Sequence, residues 1–252
     1  MESIVWRLSE FFFLSQAMGL GVFNCIAHPK LTGVGFLKLI NGICLGVLSL
    51  SLICFLVGHS AGSIGAWSYY MIFLCLVGNL LFCSEKRTML FWVIFSINVV
   101  LFLYLLFLFA KGDGKSFAFL LSSSLMTGIV TYSMLLGHWY LVVFNLPEYL
   151  LKITLVVFWV VLTSKLLMSC WELANIFDLE NSSLQDNFFK LVLLMRILWG
   201  YVITGVMSIF TWRLVNMRST QSATGIFYAM TFFVFVGEII SVYFFLQYGF
   251  FI

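Results

Sequence analysis

Glu10, Lys165, Arg196 and Glu238 stand where charge is expensive, each inside a long run of apolar residues. A charge at such a place has to pair, take up or shed a proton, or face water. Two acids with two bases form a neutral set, which serves either as a proton or ion relay or as a register pin between helices. Lys165 has two alternatives: Glu172, seven residues on along the same face, or snorkelling outward.

A second set gathers at run ends. It comprises His138, Trp139 and Tyr140 in GHWYL, Arg213 with Arg218, and Thr220, Ser222 and Thr224 at the head of the last run. Hydroxyls and free backbone N–H groups at a helix N-terminus, beside arginines, suit an anionic or carbonyl head group. Trp139, Tyr140 and Trp212 would flank an apolar tail. The plainer reading makes Thr220 or Ser222 a helix cap, the rings an interfacial belt and the arginines loop charges.

Polar stripes connect the two sets. Ser124, Thr127, Thr131 and His138 are spaced by three, four and seven, and Thr224, Thr231 and Glu238 by seven, so each series shares a helical face. Stripes of this kind turn toward one another or toward a wet cavity. The hydroxyls alone are met as well by their own helix's carbonyls.

The elements that must position these groups follow from composition. Of 252 residues 63% are apolar and 9% charged, against roughly 25% charged in soluble domains. The charges separate runs of the roughly 20 residues needed to cross a hydrocarbon core. Backbone in lipid is satisfied only in helices or closed barrels, and these runs lack the alternation of barrel strands. The sequence therefore predicts an all-α, polytopic transmembrane bundle of about eight helices: Ile4 to Ala27, Gly33 to Val57, Gly62 to Cys83, Thr88 to Ala110, Ser116 to Phe144, Tyr149 to Phe177, Asn187 to Asn216 and Ser222 to Leu246. The whole chain, 1–252, reads as one transmembrane domain. Residues 1–115 supply four quiet apolar helices, and 116–252 supply four that carry most of the buried polarity.

HPKLT, SEKR, KGDGK and NLPE are turn-like links, which implies antiparallel neighbours. Lys30, Lys38, Lys86, Arg87, Lys152, Arg213 and Arg218 fall on one side, against Arg7, Lys111, Lys115 and Lys190 on the other. The positive-inside rule then puts both termini on the non-cytoplasmic side, with the acidic link of Asp178, Glu180 and Asp186. Rise along each helix from its cytoplasmic end gives depths of about 22 Å for Lys165, 24 Å for Glu238, 25 Å for Glu10 and 30 Å for Arg196. One charged layer in the outer half of the membrane is expected. Gly42 and Gly46 form a GxxxG that permits close helix packing.

Several classes drop out. A net charge of +3 spread over many loops makes no nucleic-acid surface. The six cysteines lack Cys-x-x-Cys spacing and read as small apolar packers, not metal ligands. No G-x-S-x-G or H-E-x-x-H is present, so no catalytic residues are assigned. Haem is not expected, because His28 beside Pro29 and His138 do not give two imbedded imidazoles. A quinone beside His138 and Arg213 remains compatible.

GHWYL at Gly137 to Leu141, SATGIFY at Ser222 to Tyr228 and the following Gly237-Glu238 together resemble a pattern of uncharacterised polytopic bacterial membrane proteins. The resemblance covers the last half of the chain, implies a bacterial inner membrane and brings no activity with it. The expected role is binding or transport of a small anionic or amphipathic molecule. The alternative is a quinone-binding or accessory subunit of an electron-transfer or other membrane complex. Its partners would be the lipid bilayer and other membrane subunits contacted through the first four helices.

Overall fold

The computed structural model describes residues 2–58, 63–81, 89–143, 146–178 and 187–252. Its helices are α1 (Glu2–Phe23), α2 (Pro29–Thr32), α3 (Val34–Gly58), α4 (Ile64–Leu81), α5 (Met89–Phe109), α6 (Gly114–Val142), α7 (Tyr149–Asp178), α8 (Asn187–Met195), a π-helical segment (Arg196–Ile203), α9 (Thr204–Asn216) and α10 (Thr220–Tyr248). Helices α8 and α9 and the π segment run on as one 30-residue span. No strand occurs among the described residues, and the chain is an all-α polytopic bundle, an integral membrane protein. Gly62, Cys83, the SEKR link, Thr88, Phe144, Glu180 and Asp186 lie outside the described residues.

Seven of the spans are apolar enough to cross a membrane on composition alone, and α1 is not among them. The packing accounts for the difference. Helix α1 lies most extensively against α3 and α6 and also touches α5 and α10. It buries Phe11, Leu14, Ala17 and Met18 together with the polar Glu10, Ser15 and Gln16. A helix surrounded by other helices need not dissolve in lipid. The opposite case is α5, with 22% of its membrane window buried against 78% for the central α6. Its rings and aliphatic chains, Trp92, Val93, Val100 and Phe107 among them, point outward.

The tightest helix crossing is set by glycines not singled out in the sequence. A Cβ on Gly19 would stand 2.4 Å from the Cα of Gly128, and one on Gly128 would stand 2.2 Å from the Cα of Gly19. Backbone therefore meets backbone where α1 crosses α6, the close approach that small residues permit in membranes. The expected GxxxG does no such work: a Cβ on Gly42 or Gly46 would meet nothing within 4 Å. Local rules fix the ends. Asp113 caps α6 by accepting from the Ser116 amide at 2.8 Å and hydroxyl at 2.6 Å, and these bonds hold its carboxyl below the usual range. Pro29 opens the short α2, and Gly33 closes it at φ 79°.

Candidate functional site

Of the expected charged layer, the structure joins three members. Glu238 of α10 accepts from Lys165 of α7 on Oε2, and its Oε1 lies 3.2 Å from Arg196 Nη2. Exposures of 1% for Lys165 and Arg196 and 3% for Glu238 put all three charges out of reach of solvent. Lys165 also donates to Ser123 of α6 and stands 4.9 Å above the Phe119 ring. Four elements are thereby tied together: α6, α7, the π segment and α10. Lys165 reaches across the bundle to Glu238 and does not turn to Glu172 or snorkel.

Arg196 is held by its own segment. Its Nη2 donates to the Tyr201 hydroxyl at 2.9 Å, its guanidinium carbon lies 4.3 Å from that ring, and the hydroxyl bonds Ser169 of α7 at 2.6 Å. In an α-helix residues five apart diverge, whereas the i→i+5 spacing of a π-helix brings Arg196 and Tyr201 onto one side. Glycine opens the space. A Cβ on Gly200 would meet Arg196 Nη1 at 2.5 Å, and one on Gly237 would meet the Gly200 Cα at 2.7 Å. The span thus departs from α geometry over Arg196–Ile203, the segment that contains Gly200. Sequence reading missed Ser123, Ser169 and Tyr201. The signal for Tyr201 was its five-residue offset from a buried arginine.

Glu10 stands apart from this cluster, contrary to the single neutral layer expected. Its Oε1 accepts from Tyr69 of α4 at 3.3 Å, while Ser51 of α3 donates to the Glu10 carbonyl at 2.9 Å and lies 3.0 Å from the Tyr69 hydroxyl. Among the described residues no cation lies within 4.0 Å of Glu10. Glu238 consequently pairs with two bases, while Glu10 closes no ion pair among the described residues. Rise along a helix says nothing of lateral position, which is what separates Glu10 from the other three.

The stripes turn inward except at His138, which is exposed, and their hydroxyls are largely met by their own helices. Ser124 donates to Leu120 O at 2.9 Å, Thr127 to Ser123 O at 3.1 Å and Thr231 to Phe227 O at 2.8 Å. Two contacts cross to α1: Thr127 to Ser15 Oγ at 3.4 Å and Thr131 to Gln16 Oε1 at 2.9 Å.

The expected vestibule residues diverge. Trp139 Nε1 donates to Thr32 O at 2.8 Å, toward α2. His138 is exposed and shares a 3.1 Å bond between its Nδ1 and the Tyr228 hydroxyl. Thr224 donates to Thr220 O at 2.8 Å, Ser222 bonds Ser219 at 3.0 Å, Arg213 is exposed and Trp212 packs on Trp159. Tyr140 and Thr220 do line one cavity, of ≈ 660 Å³, with Glu148, Lys152 and Arg218. Glu148 holds both bases there, Arg218 at 2.5 Å and Lys152 at 3.6 Å. No protein family, curated protein or solved structure matches this chain.

Proposed function

We propose that this membrane protein binds and moves a small anionic or amphipathic molecule, with the Lys165–Glu238–Arg196 cluster coupling its occupancy to helix packing. The charge count of that cluster carries the reading. A register pin requires one pair, yet here two buried bases share one carboxylate. Arg196 Nε is buried with no hydrogen-bond partner among the described residues. One unneutralised positive charge in a dry interior costs several kcal/mol. An arriving anion, or release of the Lys165 proton, removes that cost. The π segment supports the reading, because single π turns inside α-helices are common at functional sites and supply an alternative register. The ≈ 660 Å³ cavity is of ligand size. It carries hydroxyls and two bases, and an anionic head group would compete with Glu148 for the bases.

The test uses oleate as an anionic amphiphile and a neutral monoacylglycerol of the same chain as control. Gently extracted protein is examined by native mass and thermal unfolding. Oleate should raise the unfolding midpoint more than the control, and Arg218→Ala and Lys165→Met should reduce the difference. Equal responses to the two amphiphiles would reject the reading. A partner subunit in the native mass would favour the accessory-subunit role.

A further inference from the structure

The two buried acids differ in what surrounds them, and the one without a base faces a cavity. Glu10 is 6% exposed and lies about 12 Å along α1 from its start. With Tyr69 it borders a cavity of ≈ 510 Å³ whose apolar walls include Leu14, Phe55, Leu105 and Phe109. Arg7 and Lys111 line the same cavity nearer the ends of α1 and α5. Arg7 sits with its guanidinium carbon 5.2 Å from the Phe109 ring, and its charge also acts on the Glu10 carboxyl without closing an ion pair among the described residues. The order of groups is therefore carboxylate within, aromatic and aliphatic walls, and two cations nearer the helix ends.

We propose that this cavity binds a zwitterionic amphiphile, its ammonium reaching Glu10 and its phosphate or carboxylate meeting Arg7 and Lys111. Three physical points lead there. A carboxyl buried inside a membrane protein gains from a positive partner, and the described residues place none within ion-pair distance, Arg7 acting on it only from farther off. The Phe and Tyr faces around it attract an ammonium group. A simple cation would have to pass Arg7 and Lys111, whereas a head group carrying an adjacent anion neutralises them. The volume accommodates a head group and part of one chain. This site uses none of the residues of the Lys165–Glu238–Arg196 cluster and stands or falls independently of it.

The test is a titration of the detergent-extracted full chain with lysophosphatidylethanolamine, lysophosphatidylglycerol of the same chain length, and dodecylamine, read by native mass and thermal unfolding. Lysophosphatidylethanolamine should bind saturably and raise the unfolding midpoint most. Glu10→Gln should weaken it by about tenfold or more, the usual loss when a charged hydrogen-bond partner is removed. Equal binding of the two lysolipids overturns the ammonium–Glu10 pairing, and equally tight dodecylamine overturns the role of Arg7 and Lys111. The comparison of lipids needs only the unaltered protein, so a Glu10→Gln chain that fails to fold leaves the question decidable. Leu108→Trp, which fills the cavity without touching Glu10, gives a second check: undiminished binding in that variant also overturns the proposal.

Discussion

Glu238 and Lys165 look like an ordinary pair, but their charge balance makes removing one very different from removing the other. In Glu238→Gln, Lys165 and Arg196 lose their shared counterion and face each other in a dry interior. Breaking a buried pair in this way costs about 3–5 kcal/mol. In Lys165→Met the Arg196–Glu238 pair at 3.2 Å remains, and the cluster becomes neutral. The thermal midpoint in detergent should therefore fall steeply for Glu238→Gln and much less for Lys165→Met. Equal losses would show that the cluster does not carry a surplus charge. At this scale the sequence was informative about identity: an ionisable residue inside an apolar run is visible as such, and Lys165, Arg196 and Glu238 were visible together. Which acid met which base was not, because pairing depends on helix rotation and neighbours, and four charged helices admit several pairings of similar depth. Ser123 illustrates the limit, lying one residue off the stripe through Ser124 and Thr127 yet being the hydroxyl that Lys165 reaches.

Among the elements, two glycine contacts set the geometry that places these side chains. Where α1 crosses α6, a single methyl on Gly128 has Gly19 backbone at 2.2 Å and nowhere to go. Gly128→Ala should separate the helices and cost about 1–3 kcal/mol or more, the usual range for overpacking. Gly42→Ala and Gly46→Ala should be silent, since open space surrounds both positions. A stability series over these three variants checks the contrast. Gly237→Ala tests the second contact: its methyl would press on Gly200 Cα at 2.7 Å and Arg196 Nη1 at 3.0 Å. It should weaken the Arg196–Glu238 pair and make the variant less sensitive to a further Glu238→Gln change, giving non-additive losses in a double-mutant cycle. Spacing in the sequence marks a GxxxG but does not say whether it faces a helix or lipid. That is why the motif of α3 looked like a contact and Gly19 of α1 and Gly128 of α6 did not. The spread of the expected vestibule residues has a related reason. Trp139 and His138 are adjacent in sequence, so on a helix they point about 100° apart, one toward α2 and the other toward Tyr228.

For the whole molecule, the arrangement of helices inverts the order in which they would enter a membrane. Helix α1 comes first along the chain and is the least suited to lipid, carrying Arg7, Glu10 and Gln16. It nevertheless becomes one of the most enclosed helices, between α3, α6 and α10. A charged residue at a helix centre opposes insertion by about 2.5–3.5 kcal/mol, and no neighbour offsets this before α3 is made. A fusion of residues 1–28 to a topology reporter should therefore insert poorly. Extending it through α3 should rescue insertion, because Ser51 then bonds the Glu10 carbonyl and α3 covers the face of α1 that bears it. Glu10→Leu should insert at either length. If the short fusion inserts as well as the long one, α1 is an independent anchor and its enclosure contributes nothing to its placement. Reporters at the two ends of the 252-residue chain address the remaining expectation. With α1 crossing beside the seven apolar spans, both ends come to one side, and the excess of bases on the opposite loops predicts that side to be non-cytoplasmic.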